Sequence, residues 1–282
     1  MDRSRLTLRL LKDRVFKVIV IFLCFLSMVP LFLILSYIVK NGLASLNWEF
    51  FVEIPKPVGE KGGGIVNAIV GSFLLVIVAS LPSIPLGIAA GVYLSEHRGG
   101  KVAYLGRLAA DVLQGTPSIV IGIIAYLWIV VTMKGFSALS GGIALGIMML
   151  PVIVRATEET LKLIPDALKE ASLALGVPYY RTMLKVVLPA SVSGITTGVL
   201  ISIARVAGET APLLFTAFGN AFMNWNIIKP VNALPLLIYN YATSPYPEWH
   251  RVAWGASCVL VGFVLALNLM VRIIVGRWKV QF

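Results

Sequence analysis

Arg205 and Glu209 stand inside an apolar stretch that reads Ile203-Ala204-Arg205-Val206-Ala207-Gly208-Glu209-Thr210-Ala211-Pro212. Residues four apart meet on one face of a helix, so the pair is expected to share a face. A charge at the centre of a bilayer costs about 2.5–3.5 kcal/mol on insertion scales, and that face should therefore look into a helical bundle or a wet pathway. Two chemistries fit. The pair can neutralise itself and hold helices together, or it can form an anion site. In the second case the guanidinium offers a tetrahedral oxyanion two parallel charge-assisted hydrogen bonds, Glu209 tunes its field, and Thr210 joins the same set.

No other constellation of reactive groups stands out in the chain. His97 and His250 are far apart, which leaves no zinc site and no His-paired nucleophile. The segment Gly99-Gly100-Lys101-Val102 lacks the spacing and the hydroxyl of a phosphate-binding P-loop, so the chain is not expected to hydrolyse ATP by that route. Cys24 and Cys258 lie in separate apolar runs and read as small buried hydrophobes. Asp111, Gln114 and Asn67 fall near span ends and are assigned capping or helix-packing roles. No metal and no cofactor are expected.

The elements that must position Arg205 are membrane spans. The 282 residues are 58% hydrophobic and only 13% charged, with a mean hydropathy of +0.89, too apolar for a soluble domain. Uncharged runs of about 20 residues match the bilayer's hydrocarbon thickness. Six are expected, running from Val15 to Val39, Gly64 to Ser95, Gly115 to Thr132, Gly142 to Ala156, Ala190 to Phe218, and Arg251 to Val275. The first is too long for a signal peptide's apolar core. The fourth is the weakest, because its uninterrupted part from Ile143 to Val154 is short. Pro82, Pro85 and Pro117 should kink or break the second and third spans. Gly87 with Gly91, Gly142 with Gly146, and Gly194 with Gly198 are small pairs one turn apart that permit close helix packing.

The net charge of +11 reports topology rather than nucleic acid. Basic residues gather at alternate ends of the spans: Arg3 to Lys17 before the first, Arg98, Lys101 and Arg107 after the second, Arg155 to Lys185 after the fourth, and Arg272, Arg277 and Lys279 at the end. The other side keeps Lys40, Lys56, Lys61, Lys134, Lys229 and Arg251. Positive residues stay cytoplasmic, which puts both termini inside and requires the weak fourth run to cross. The outer region Gly219 to His250 holds Trp225, Tyr239, Tyr241, Tyr246 and Trp249, suited to an interfacial aromatic belt. The cytoplasmic segment Arg155 to Pro189 alternates Leu161, Ile164, Leu168, Leu173 and Leu175 with charges, and predicts short amphipathic helices resting on headgroups or on a partner.

Within that segment, Glu170-Ala171-Ser172, then Gly176, then Leu188-Pro189 resembles the EAA loop of ABC importer permeases, with Ser172 where alanine is usual. The Arg205 stretch with Leu213-Leu214-Phe215-Thr216 is similar to the signature of the PstA permeases of bacterial phosphate ABC importers. So are Gly115-Thr116-Pro117-Ser118-Ile119-Val120-Ile121-Gly122 and Leu150-Pro151-Val152-Ile153-Val154-Arg155-Ala156-Thr157-Glu158-Glu159. The resemblance implies an all-α membrane protein with the six-helix type I ABC importer permease bundle and cytoplasmic coupling helices. Residues 1–63 then hold the N-terminus, first helix and outer loop, and residues 64–282 the permease core with a coupling loop at about 157–189. It also implies a sister permease, two copies of an ATPase, a periplasmic phosphate-binding protein, and phosphate as substrate in the bacterial inner membrane. The alternatives are a permease for sulfate, molybdate or phosphonate, or a channel or secondary transporter that needs no coupling loop. An intramembrane enzyme is weaker still, for want of a nucleophile.

Overall fold

Apolar side chains dictate helices here, since a backbone below the headgroups must satisfy its own hydrogen bonds. The computed structural model describes residues 3–60, 62–97 and 99–277, so Lys61, Arg98 and Lys279 of the charge pattern lie outside the described residues. The helices are α1 (Arg3–Leu43), α2 (Trp48–Val52), α3 (Val66–Glu96), α4 (Lys101–Gly115) and α5 (Ser118–Ala125), which passes through a π turn into α6 (Val131–Met133). There follow α7 (Ala138–Lys162), α8 (Asp166–Ala174) and α9 (Tyr179–Thr182), a second π turn, then α10 (Leu188–Val206), α11 (Ala211–Thr216), α12 (Leu234–Ala242) and α13 (Pro247–Arg277). The described residues form no strand beyond one isolated bridge, Phe218 to Val231.

Among the described residues five helices are long and apolar enough to cross a membrane, and α4 with α5–α6, bent by 104°, is the candidate for a sixth. Five of the six expected spans are met, and the bent pair stands in the place of the third. It begins at Lys101 rather than Gly115, because the amphipathic α4 precedes the bend. The bend falls where Pro117 lacks an N–H and holds Thr116 extended, at ψ 131°. Pro82 and Pro85, by contrast, leave α3 unbroken.

The weakest run became the central helix. Helix α7 has the least apolar window of the five yet the most buried one. Its flanks are other helices rather than lipid, and small residues let them approach: Gly87 of α3 sits against Ile153, and Ser83 donates to the Gly146 carbonyl at 3.0 Å. Gly194 and Gly198 of α10 lie against Thr160 and Ala156. Around this contact Leu75, Leu145, Met149, Ile153, Val206, Leu213 and Leu236 form the main core.

Two stretches depart from expectation. The fifth span is Tyr179–Val206, so Leu188 and Pro189 belong to a continuous helix and not to a loop. A proline ring collides with the carbonyl four residues back; the π turn Met183–Val187 widens the helix just there, and the Leu188 N–H reaches the Met183 carbonyl instead. The outer region is no peripheral loop either. Within it α12 buries Leu234, Leu236 and Leu237, and buried Asn67 ties α3 to it through the carbonyls of Asn220 and Ala221 at 2.8 and 3.1 Å. That is the packing role assigned to Asn67.

A Cβ at Gly87 would lie 2.7 Å from Cγ2 and 2.8 Å from Cβ of Ile153, whereas one at Gly262 meets nothing within 4 Å. Gly87→Ala should therefore destabilise the purified protein by about 1–3 kcal/mol. Gly262→Ala should leave it unchanged or slightly improved, and thermal unfolding in detergent compares the two.

Candidate functional site

Helix α10 ends at Val206, between the two residues that were expected to share its face. The chain turns tightly there: the N–H groups of Ala207, Gly208 and Glu209 reach the carbonyls of Ile203, Arg205 and Val206 at 3.0–3.2 Å. Thr210 then opens α11, whose Pro212 packs under Gly122 of α5. Arg205 and Glu209 thus face each other across a helix break. Arg205 Nε lies 3.9 Å from Glu209 Oε1, too far for a hydrogen bond, with the side chains 46% and 20% exposed. Arg205 has no hydrogen bond to any described residue, so its fork of donors is uncommitted.

The antiparallel packing fixes the depth of this break. Gly198 lies on Ala156, and Arg205 is seven residues further along, about 10 Å at 1.5 Å per residue. That height corresponds to the middle of α7. An uncommitted, half-exposed guanidinium at half-depth is not lipid-compatible, so this face needs water, an anion or a second polypeptide.

Beyond the end of α7, α8 carries Glu170, Ala171 and Ser172 as one short helix. Gly176 closes it with φ +75°, its N–H on the Leu173 carbonyl at 2.9 Å and the Val177 N–H on that of Ser172 at 3.4 Å. This is the Schellman pattern, which favours glycine. Glu170 and Ala171 are exposed, and Leu163 and Leu175 flank the helix at 81% and 84% exposure. Ser172 turns inward and shares a 2.9 Å hydrogen bond with the Thr182 hydroxyl, which alanine could not make. Leu188 packs beside Leu161, Ile164, Met183 and Val187, a supporting place rather than an exposed one.

Two ionic clusters lie outside the site residues expected from sequence. The Glu158 side chain, 0% exposed, receives Arg107 Nε at 2.7 Å, Lys162 Nζ at 2.6 Å and Arg155 at 3.3 Å. Arg155 also pairs with Asp111, and Arg107 donates to the Leu94 carbonyl at 2.6 Å. Asp111 is thus an ion-pair partner rather than a solvated cap. The spacing of Arg155, Glu158 and Lys162 signalled half of this cluster; Arg107 comes from α4. In the second cluster Glu96, at the end of α3, accepts Lys169 of α8 at 2.5 Å and the Tyr179 hydroxyl.

Comparison with known proteins now decides the family. A family model described as the binding-protein-dependent transport system inner membrane component matches residues 83–280. The chain belongs to that family. This permease is 43% identical over 247 residues to the phosphate transport system permease protein PstA of Yersinia pestis, covering 87% of this chain and 84% of that one. It is 39% identical to the PstA of Pasteurella multocida over 97% and 98% of the two chains. The probable PstA of Methanocaldococcus jannaschii is 38% identical over 94% of each. The resemblance to PstA permeases is borne out. A chain of the MetNI methionine ABC transporter in inward-facing conformations superposes with a TM-score of 0.65 at 20% identity, covering 76% of this permease and 96% of that chain, which bears out the type I importer fold. The permease is a multi-pass inner membrane protein.

Glu158 and Arg205 should respond oppositely to removal. Glu158→Leu leaves Arg107, Arg155 and Lys162 without the carboxylate between them, a loss of about 1–3 kcal/mol because all three cations keep access to water. Arg205→Ala removes a group that binds nothing firmly in the fold and should unfold within error of the parent. Thermal unfolding of the purified protein in detergent tests both.

Proposed function

We propose that the chain is a transmembrane permease subunit of an ATP-driven phosphate importer and forms the translocation pathway with a sister permease. The observation that carries this reading is the uncommitted Arg205–Glu209 pair at a half-depth helix break, in a chain 43% identical to a phosphate transport system permease. An oxyanion supplies what that face lacks. The exposed Leu163, Leu173 and Leu175 around α8 support docking of α8 into a cleft of an ATPase subunit, present in two copies, which hydrolyses ATP. A periplasmic phosphate-binding protein delivers the ion on the side of Gly219 to His250, and both termini are cytoplasmic. ATP binding draws the α8 helices together and opens the pathway outward; release of the hydrolysis products returns it inward.

Labelling checks the orientation. Single cysteines at Asn220 and Gln281 should react from opposite sides of the membrane, and labelling from one side overturns the assignment.

Selectivity follows from the carboxylate beside the arginine. Phosphate at neutral pH keeps at least one P–OH, which donates to ionised Glu209 while Arg205 binds the opposite oxygens. Sulfate brings no such proton and meets repulsion. Arg205→Lys should abolish transport, because an ammonium cannot reproduce the fork. Glu209→Gln should lower the phosphate-to-sulfate ratio. Proteoliposomes with both ions at high concentration and a binding-protein-independent variant expose this step. An unchanged ratio together with normal transport by Arg205→Lys assigns the pair a structural role.

A further inference from the structure

We infer that Glu96 is the joint that makes α8 move together with α3, a positioning role that rests on reading α8 as the ATPase-docking helix. Helix α8 has two faces. Glu170, Ala171, Leu173 and Ala174 look away from the bundle, whereas Leu168, Lys169 and Ser172 look back at it. A helix of nine residues has too few internal hydrogen bonds to transmit force by itself, so what it moves depends on how the inward face is fastened.

Three fastenings of that face stand out among the described residues. Leu168 packs with Val92 of α3 against the Leu161, Ile164, Met183 and Val187 cluster. Ser172 shares its hydroxyl hydrogen bond with Thr182 of α9. The third is directional and charged: Lys169 reaches Glu96 Oε1 at 2.5 Å, with the two side chains 17% and 18% exposed, and the Tyr179 hydroxyl donates to Glu96 Oε2. One carboxylate thereby uses both oxygens to clamp the start of α9 and the middle of α8 to the last residue of α3. Apolar contacts permit sliding, but a charge-assisted pair shielded from water fixes register. Helix α3 in turn lies along the whole of α7 through Gly87 and Gly91. Displacement of α8 therefore reaches the central helix through Glu96 directly, as well as through the chain by way of Leu163 and Ile164.

The assay uses the whole transporter, with ATPase, sister permease and binding protein, in proteoliposomes, and reads phosphate moved per ATP hydrolysed. Coupling free energies between sites correspond to roughly 5–150-fold, so Glu96→Gln and Glu96→Lys should lower that ratio at least about fivefold while the ATPase subunit stays bound. Tyr179→Phe, which removes one donor, should lower it less. The exchange Glu96→Lys with Lys169→Glu should restore most of the ratio, which a general loss of stability would not permit. An unchanged ratio in Glu96→Gln and Glu96→Lys overturns the proposal, as does loss of the ATPase subunit from the Glu96→Gln complex or failure of the exchange to rescue. Cross-linking from Glu170→Cys to the ATPase subunit separates the two readings. Absence of a cross-link in the otherwise unaltered chain removes the docking assignment itself, whereas a cross-link with an unchanged ratio removes only the joint.

Discussion

Close approach of helices at glycine is the contact on which the other features depend. Lipid tails are as apolar as leucine, so helices in a bilayer gain little by burying leucine against leucine and much by bringing backbones near. Helix α7 meets α3 at Gly87, Gly91, Gly142 and Gly146, and meets α10 at Gly194 and Gly198. These contacts set the relative heights of three helices. With the heights set, the break after Val206 falls at the middle of α7, and Glu158 falls one turn from its C-terminal end.

Charges at these two depths are treated differently. Glu158 is enclosed by Arg107, Arg155 and Lys162, each at hydrogen-bond distance, and its side chain has no exposed surface. A charge so fully answered holds α4, α7 and the end of α3 in register and has nothing left to offer a substrate. Arg205 is the reverse, answered only by a carboxylate 3.9 Å away and open on one side. The break contributes to this. A continuous helix would have kept Glu209 at a fixed distance along one face, whereas the turn at Ala207 and Gly208 sets the carboxylate at the mouth of a second helix that packs on α5. The pair therefore sits where three elements converge.

Helix α8 repeats this division on a smaller scale. It presents Glu170, Ala171, Leu173 and Ala174 outward and fastens its other face with Lys169, Ser172 and Leu168. Ser172 is the departure from the alanine usual at that place, and it is a departure with a partner, since its hydroxyl shares a hydrogen bond with that of Thr182. The π turn at Met183–Val187 lets Pro189 remain inside a span, so the chain from Tyr179 runs as one helical segment into α10.

Much of this was legible in the sequence, for reasons that are local. Apolar run length reports bilayer thickness, and the alternation of basic residues required the fourth run to cross although its hydropathy was marginal. Pro117 marked the bend, Gly176 marked the left-handed turn that ends α8, and the paired glycines marked the close contacts, because each of these is a property of a few neighbouring residues. The sequence also named Arg205 and Glu209, since two charges in an apolar run are conspicuous wherever they point. What it did not contain was distance across the fold. Arg107 meets Glu158 from 51 residues away, and Tyr179 meets Glu96 from 83. Helix α12 reads as outer loop until Leu236 and Leu237 are seen inside the core. Four-residue spacing promised a shared helix face for Arg205 and Glu209, but spacing carries no information about whether the helix continues. The packing of Pro212 against Gly122 decided that, because a second helix seated on α5 requires the first to stop at Val206.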